Sequence, residues 1–437
     1  MSSNILFVFE GKRTEEKMVN SLGKYILKES PIIKCAYAGD IYQFYKKISI
    51  DEDLDTFNLV KERDSENLDR LKDYNRGDFA EIYFFFDYDG HSSLASKKDD
   101  DGNIIKPGDD KIAEILSFFD NETDKGKLYI SYPMVEALRH IVDFKTFKEL
   151  KVKCKGNYCP NKSKCKDIET CEKEPCYKDR VSKESIAHLC NINGYTHETW
   201  KNLIKAHLFK MNYIVNDTYE FPDGIESQLT IFTKQLDKYI NKQCPKVCVL
   251  SAFPIFVYDY YGNEKTKCYV NRTIVSIETK SLLIREIIPS DINVLLSVYS
   301  QEENMKYISN GKYDWTIEEL RKKYQKVNNS GYPQGYGIFA VVVDGEVIGE
   351  AGLFNSYEDD KVLELGYIIN EKFWNKGYGT KICKALLDYG FNKLNLEKIV
   401  ARMHPENIGS IRICEKLNFV KIDVTGAIYY QYEISGL

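Results

Sequence analysis

Residues 373–380 read FWNKGYGT, and residues 407–419 read NIGSIRICEKLNF. Glycines let a backbone come close to an anion, and the free N–H groups at a helix N-terminus favour negative charge. A Gly-x-Gly loop opening an amphipathic helix, then a strand, then a second helix starting with Asn and Ser, suits the pyrophosphate of a large nucleotide cofactor. A second constellation lies near the other end of the chain. Glu10, Asp87 and Asp89 each follow an apolar run. Asp87 and Asp89 are two apart, so a continuing strand would turn both to one side. Close carboxylates repel unless protonated or bridged by a cation, and hard oxygen ligands suit Mg²⁺ or Mn²⁺. A third group is Cys154, Cys159, Cys165, Cys171 and Cys176, set among lysines. Their spacing is not that of common zinc knuckles. Five thiols could supply the four ligands of tetrahedral zinc, or be free thiols of a loop.

Chain elements must position these groups. Residues 4–9 (NILFVF), 82–86 (IYFFF), 127–131 (KLYIS) and 247–251 are apolar runs of strand length, expected as buried, mostly parallel strands. Residues 253–260 extend the last of them. Residues 14–28 have helical spacing, with Met18, Val19, Leu22 and Ile26 on one face. A helix carrying Glu136, Leu138, Arg139 and His140 is expected after Tyr132-Pro133-Met134. In open α/β sheets, sites form beyond the carboxyl ends of strands, where Glu10, Asp87 and Asp89 fall. Residues 151–183 are rich in Lys and Cys and read as an insertion outside the core. Their lysines, such as Lys151, Lys153, Lys155, Lys162, Lys164 and Lys166, either touch phosphates or form a solvated face. Further on, Asp344-Gly345 marks a hairpin between residues 338–343 and 346–352. Residues 362–369 (VLELGYII) form the next strand.

At 437 residues the chain has room for two or three domains. A formal charge of −5 gives no global basic field for nucleic acid, although a local patch remains open. No apolar run is long enough to cross a bilayer, so a cytoplasmic protein without membrane partners is expected. There, the 12 cysteines are expected as thiols or metal ligands.

The glycine loop and its sequel resemble the GCN5-related N-acetyltransferases (GNAT), and within them the Rim-type ribosomal-protein-alanine enzymes. That family grips acetyl-CoA with Arg/Gln-x-x-Gly-x-Gly/Ala. Trp374 stands where Arg or Gln is usual. Asn407, Ser410, Glu415, Lys416, Asn418 and Phe419 match its Asn-x-x-Ser and Glu-Lys-x-Gly-Phe. Asn418 replaces a Gly and can adopt the same left-handed turn. The resemblance implies an α+β acyl-CoA N-acyltransferase fold over 281–437. It implies that residues 362–369 splay from their neighbour, with Tyr367, Ile368 and Ile369 against acetyl-CoA and bulge amides polarising its carbonyl. Lys376, Gly377, Tyr378, Gly379 and Thr380 would hold the pyrophosphate, and Asn407 the pantetheine arm. Glu364 is the candidate base, Ser410 the acid or CoA contact, and Tyr430 a second acid. Each has a plainer reading: Glu364 as an exposed strand residue, Asn407 and Ser410 as helix-start residues. Cys383 and Cys414 read as core.

Residues 1–265 resemble the Toprim fold, in its RloB-like and overcoming-lysogenization-like nucleases. The likeness rests on Phe9-Glu10-Gly11, on Asp87-Tyr88-Asp89 and on Pro133-Met134-Val135-Glu136. It implies a metal held by Asp87, Asp89 and Glu136, with Glu10 as acid/base or further ligand. Metal-assisted phosphodiester cleavage would follow, in a phage-defence setting. A Toprim module that binds nucleic acid without cutting, or strand-end carboxylates with no ligand, are the alternatives. Residues 266–280 are expected as a linker. The acetyl acceptor stays open among a protein N-terminus, a lysine, an aminoacyl-tRNA and a small amine.

Overall fold

In the computed structural model of the chain, the described residues are 4–11, 13–27, 33–38, 41–48, 55–88, 97–98, 104–106, 108–153, 176–242, 244–272, 274–356, 359, 361–422 and 429–436. They fall into two compact units, Met1–Val270 and Asn271–Leu437.

The first unit is built on a twisted parallel sheet. Strand β1 (Asn4–Phe9) has Ile5 to Phe9 all buried, as its unbroken apolar run requires. It pairs in parallel with β2 (Ile33–Tyr37) on one side and β3 (Phe79–Asp87) on the other. Strands β4 (Lys97–Lys98) and β5 (Ile104–Lys106) pair with each other outside this sheet. Strand β6 (Asp120–Asn121) runs antiparallel to β7 (Gly126–Ser131), which is parallel to β3, giving the order β2-β1-β3-β7-β6. The parallel pairing brings the carboxyl ends of β1 and β3 side by side, and with them Glu10 and Asp87. The helix Arg13–Tyr25 follows β1 and buries Met18, Val19 and Leu22, on the face its spacing predicts.

Four expectations for this unit are corrected. Strand β2 was not foreseen, because Lys34 interrupts its short apolar run. Residues 247–251 do not join the parallel sheet: β9 (Lys246–Cys248) pairs antiparallel with β8 (Lys151–Lys153), and Leu250 makes a bridge to Tyr132. Residues 253–260 are not extended but lie in the helix Ala252–Asn271, whose Phe253 to Tyr258 are all buried. An apolar run buried all round has no periodicity to tell strand from helix, and Pro254 is tolerated in a first helical turn. Only a five-residue 3₁₀ turn, Val135–Arg139, forms after Met134.

The expected insertion is partly structured. Lys151–Lys153 is strand β8, and Tyr177–Glu184 is a helix that buries Val181. Cys154, Cys159, Cys165 and Cys171 lie outside the described residues, as do Asp89, Lys155, Lys162, Lys164 and Lys166; Cys176 is exposed and free. The expected linker is not a linker throughout. Its first part lies in the helical stretch that resumes after a break at Gly262 (φ 76°) and runs to Asn271, and β10 (Ser276–Glu278) is an edge strand of the second unit.

The second unit has one eight-stranded sheet. Beside β10 run β11 (Leu283–Glu286), β12 (Gly337–Val343), β13 (Glu346–Phe354), β14 (Val362–Ile369) and β15 (Lys398–Met403). Strands β16 (Val420–Ile422) and β17 (Tyr430–Ser435) complete it in the order β10-β11-β12-β13-β14-β15-β17-β16. All neighbours are antiparallel except β14 and β15. The β12–β13 turn is Asp344-Gly345, at φ 49° and 84°, the two left-handed residues such a hairpin needs. The helix Tyr378–Asn392 buries Ile382, Cys383, Leu386 and Leu387 along one face, against the sheet core. No helix among the described residues is long and apolar enough to cross a membrane.

Candidate active site

Strand β14 pairs regularly with β13 from Phe354↔Glu364 to Gly349↔Ile369. Its pairing with β15 covers three positions and ends at Glu364↔Val400. Beyond Glu364 the two strands part, and the side of β14 that faced β15 has no ladder partner among the described residues. Backbone groups exposed in this way need other partners. No bulge interrupts β14; the register shift nearby lies at Val341/Val342 in β12. The expected bulge is therefore absent from β14, and the strand instead loses its ladder partner beyond Glu364.

Two cavities meet at the parting, of ≈ 500 Å³ and ≈ 570 Å³. Tyr307, Tyr367, Ile368, Asn407 and Ser410 line both. The larger holds the glycine loop. Asn375 and Gly377 take φ of 60° and 80°, which turns the chain into the helix Tyr378–Asn392. No acidic residue stands in that helix's own first turn, where the free N–H groups and positive end favour an anion. A Cβ on Gly379 would sit 2.8 Å from Ile413 Cδ1. Gly377 meets a conformational need and Gly379 a steric one. Ile369, Tyr378 and Thr380 also line this cavity. The Trp374 indole donates to the Ile369 carbonyl at 2.7 Å and ties the loop to the end of β14. Lys376 is exposed, with Nζ 5.1 Å from the Phe373 ring centroid, and is not part of the wall.

The smaller cavity holds the acid–base candidates. Glu364 is 8% exposed and pairs with Arg402 at 2.5 Å, so it is not the exposed strand residue of the plainer reading. Ser410 lies 3.1 Å from the Tyr367 hydroxyl. Asn407 accepts from the Ser410 N–H at 3.2 Å, so it caps the helix Ile408–Lys416 and also faces both cavities. Asn418 ends that helix region at φ 64°, the left-handed turn expected of it. Tyr430 does not line either cavity; Lys421 Nζ lies 3.4 Å from its ring centroid, and its neighbour Tyr429 reaches the wall. Cys383 and Cys414 are buried as expected but also touch this cavity. Burial pushes the Cys414 thiol up to about 12, so it stays protonated.

A buried group absent from the sequence reading stands on the same wall. Glu350 is 4% exposed and accepts from Tyr299 at 2.6 Å, from Lys323 at 2.7 Å, and from Tyr324. Burial first, and the Glu350 charge second, push both phenols up, so both remain donors. The signal was a single carboxylate inside the otherwise apolar run VIGEAGLF.

In the first unit, Glu10 Oε2 accepts from the Asp87 N–H at 3.3 Å. Burial, then the charges of Glu10, Glu136 and Glu15, push the Asp87 carboxyl well up. Glu15, one turn into the helix Arg13–Tyr25, was not foreseen; it is 8% exposed, and burial raises it too. Glu136 is 3% exposed, its Oε1 is 3.8 Å from Lys178 Nζ, and its Oε2 has no hydrogen-bond partner. The four carboxylates gather from separate elements. Among the described residues, no three His, Cys, Asp or Glu side chains stand close enough to hold a metal ion.

Comparison with known proteins bears on the second unit. The family model "Acetyltransferase (GNAT) domain" matches residues 281–420. The uncharacterized N-acetyltransferase YnaD of Bacillus subtilis is 32% identical over 141 residues, which cover 32% of this chain and 80% of that protein. The spermidine N(1)-acetyltransferase of Escherichia coli is 28% identical over 156 residues, 36% of this chain and 80% of that protein. A GNAT-family acetyltransferase structure from Bacillus anthracis is 29% identical, at a TM-score of 0.32, covering 37% of this chain and 98% of its own. Through these residues the chain belongs to the GNAT acetyltransferase family.

Proposed function

We propose that the second unit transfers the acetyl group of acetyl-CoA to an amine. The observation that carries this reading is the parting of β14 from β15, with a glycine loop in one adjoining cavity and a paired carboxylate in the other. The loop 377–380 would hold the pyrophosphate on its amides, with Asn407 along the pantetheine arm. Tyr367, Ile368 and Ile369 would flank the thioester. Unpaired β14 amides there stabilise an oxyanion better than they do a carbonyl. Attack needs a neutral amine, and Glu364 can take its proton; Ser410, which lines both cavities, would donate a hydrogen bond to the departing sulfur.

The test follows CoA release from acetyl-CoA by the full chain, with spermidine, a serine-initiated peptide and free lysine as acceptors. Wild type is expected to bind acetyl-CoA and to release CoA with at least one of them. Gly377→Val forces a side chain to φ 80° and should weaken acetyl-CoA binding by about tenfold, roughly 1.4 kcal/mol of strain and lost amide contact. Absence of acetyl-CoA binding by wild type would overturn the reading.

A second activity is inferred for the first unit: divalent-cation-dependent cleavage of nucleic acid, in a Toprim-like fold and a phage-defence setting. The crowding of Glu10, Glu15, Asp87 and Glu136, with a buried partnerless Glu136 Oε2, favours it. These donors fit Mg²⁺ or Mn²⁺ in chemical type. The side chains as placed do not form a ligand set, so no catalytic step is derived. Bound there, a cation would supply charge neutralisation and an activated water. Mn²⁺ at millimolar concentration is expected to raise the thermal midpoint of the full chain, and Glu136→Gln to abolish the rise. Equal midpoints with and without Mn²⁺, and no cleavage of plasmid or single-stranded DNA, would remove this reading.

A further inference from the structure

Tyr367 stands where the two cavities meet, and the acetyltransferase reading gives it only a flanking role. The residue is partly buried against the apolar core of the unit and lines both cavities. A Cβ built on Gly379 would lie 3.6 Å from the Tyr367 hydroxyl and 2.8 Å from Ile413 Cδ1, so the first turn of the helix Tyr378–Asn392 closes over it. Among the described residues Ser410 Oγ is its one hydrogen-bond partner, at 3.1 Å. A buried hydroxyl left without a partner costs about 1–3 kcal/mol.

The direction of this bond follows from the chemistry of the two groups. Either oxygen can donate, but a phenol is far more acidic than an aliphatic hydroxyl and is the better donor, while the serine oxygen is the better acceptor. If Tyr367 donates, its hydrogen is satisfied and the Ser410 hydrogen is free to turn into the cavities. Burial raises the Tyr367 phenol further above its ordinary value, so it keeps its proton at any working pH. The serine is held from a second side, because Asn407 fixes its backbone N–H at 3.2 Å.

We propose that Tyr367 is a positioning residue: it donates to Ser410 Oγ and so aims the Ser410 O–H at the sulfur that leaves during acetyl transfer. This rests on the acetyltransferase reading. In the step it serves, the amine nitrogen is bonded to the acetyl carbon and the carbon–sulfur bond breaks. The electron pair of that bond passes to sulfur. The Ser410 O–H hydrogen-bonds the forming thiolate, and the amine proton goes to Glu364. Thiols ordinarily titrate near pH 8.5, so the released thiolate takes its proton from solvent. A hydroxyl already oriented by a rigid partner spends no reorganisation when charge develops on sulfur.

The test is a double-mutant cycle on the full chain, read as CoA release with whichever of spermidine, the serine-initiated peptide and lysine wild type acetylates. Tyr367→Phe is expected to lower kcat by roughly tenfold, the rate equivalent of one neutral hydrogen bond. The KM for acetyl-CoA should change by less than about threefold, because the lost bond acts only as charge develops. Ser410→Ala should lower kcat at least as much. In the Ser410→Ala background, Tyr367→Phe should cost nothing more, since the partner it orients is gone. Unchanged kcat in Tyr367→Phe would overturn the proposal. Full, multiplicative loss in the double variant would overturn it too, by showing that Tyr367 acts without Ser410. A rise in KM with kcat intact would make Tyr367 a packing residue for the cofactor. Wild type that binds no acetyl-CoA would remove the acetyltransferase reading, and this proposal with it.

Discussion

Replacing Glu364 with Gln is expected to lower the turnover of acetyl transfer by about 10²–10³-fold, within the range of positioned acid–base groups. Acetyl-CoA affinity should stay within about threefold, because Glu364 lies in the cavity away from the glycine loop. The substitution keeps shape and removes the ability to take a proton. It also removes the Arg402 ion pair, but the Arg402 side chain is 45% exposed, and solvent can receive its charge. A pair of that exposure contributes at most about 1 kcal/mol, so the thermal midpoint should barely move. Paired measurement of kcat, acetyl-CoA affinity and midpoint checks the result. Retained turnover would show that the amine loses its proton elsewhere, with Glu350 on the same wall as the next group to substitute.

Replacing Glu286 with Ala is expected to destabilise the second unit by about 3–5 kcal/mol. Glu286 is fully buried at the end of β11. Arg272 grips it with two nitrogens, at 2.5 Å and 2.9 Å, and Arg272 is itself only 10% exposed. The Val275 N–H also donates to it at 3.4 Å. Alanine takes this counter-charge away from a guanidinium that sees little water. In a unit of this size such a loss corresponds to a midpoint lower by roughly 10 °C. The double variant Arg272→Met with Glu286→Leu should recover most of that loss, because two apolar side chains need no desolvated charge. Calorimetry on the full chain separates the cases. A double variant as unstable as Glu286→Ala would show that packing volume, not the uncompensated charge, sets the cost.

Local chemistry was legible wherever one or two residues settle the geometry. Asp344-Gly345 predicts its hairpin because both positions need left-handed backbone, and both have it. Asn418 was readable as a left-handed substitute for glycine for the same reason. The unbroken apolar runs of β1, β3 and β7 could only be buried strands once their short lengths were counted. The same reasoning failed at residues 253–260, where burial on every side erased the period that separates strand from helix. It failed at β2 because a five-residue strand with a lysine inside carries too little pattern.

The candidate sites divide along the same line. By its order of residue types, the sequence alone determined the glycine loop, the Asn-x-x-Ser helix start and membership of the acetyltransferase family. Backbone conformations of that kind are set within a few residues. Only the tertiary structure decided which side chains meet: Arg402 on Glu364, Tyr367 on Ser410, Lys323 with two tyrosines on Glu350, and Glu15 beside Asp87. It also put Tyr429, not Tyr430, at the cavity wall. Each of these depends on strand register and on helices packed from distant parts of the chain. A one-residue slip in register exchanges the faces of a strand, and no local run of residues records it.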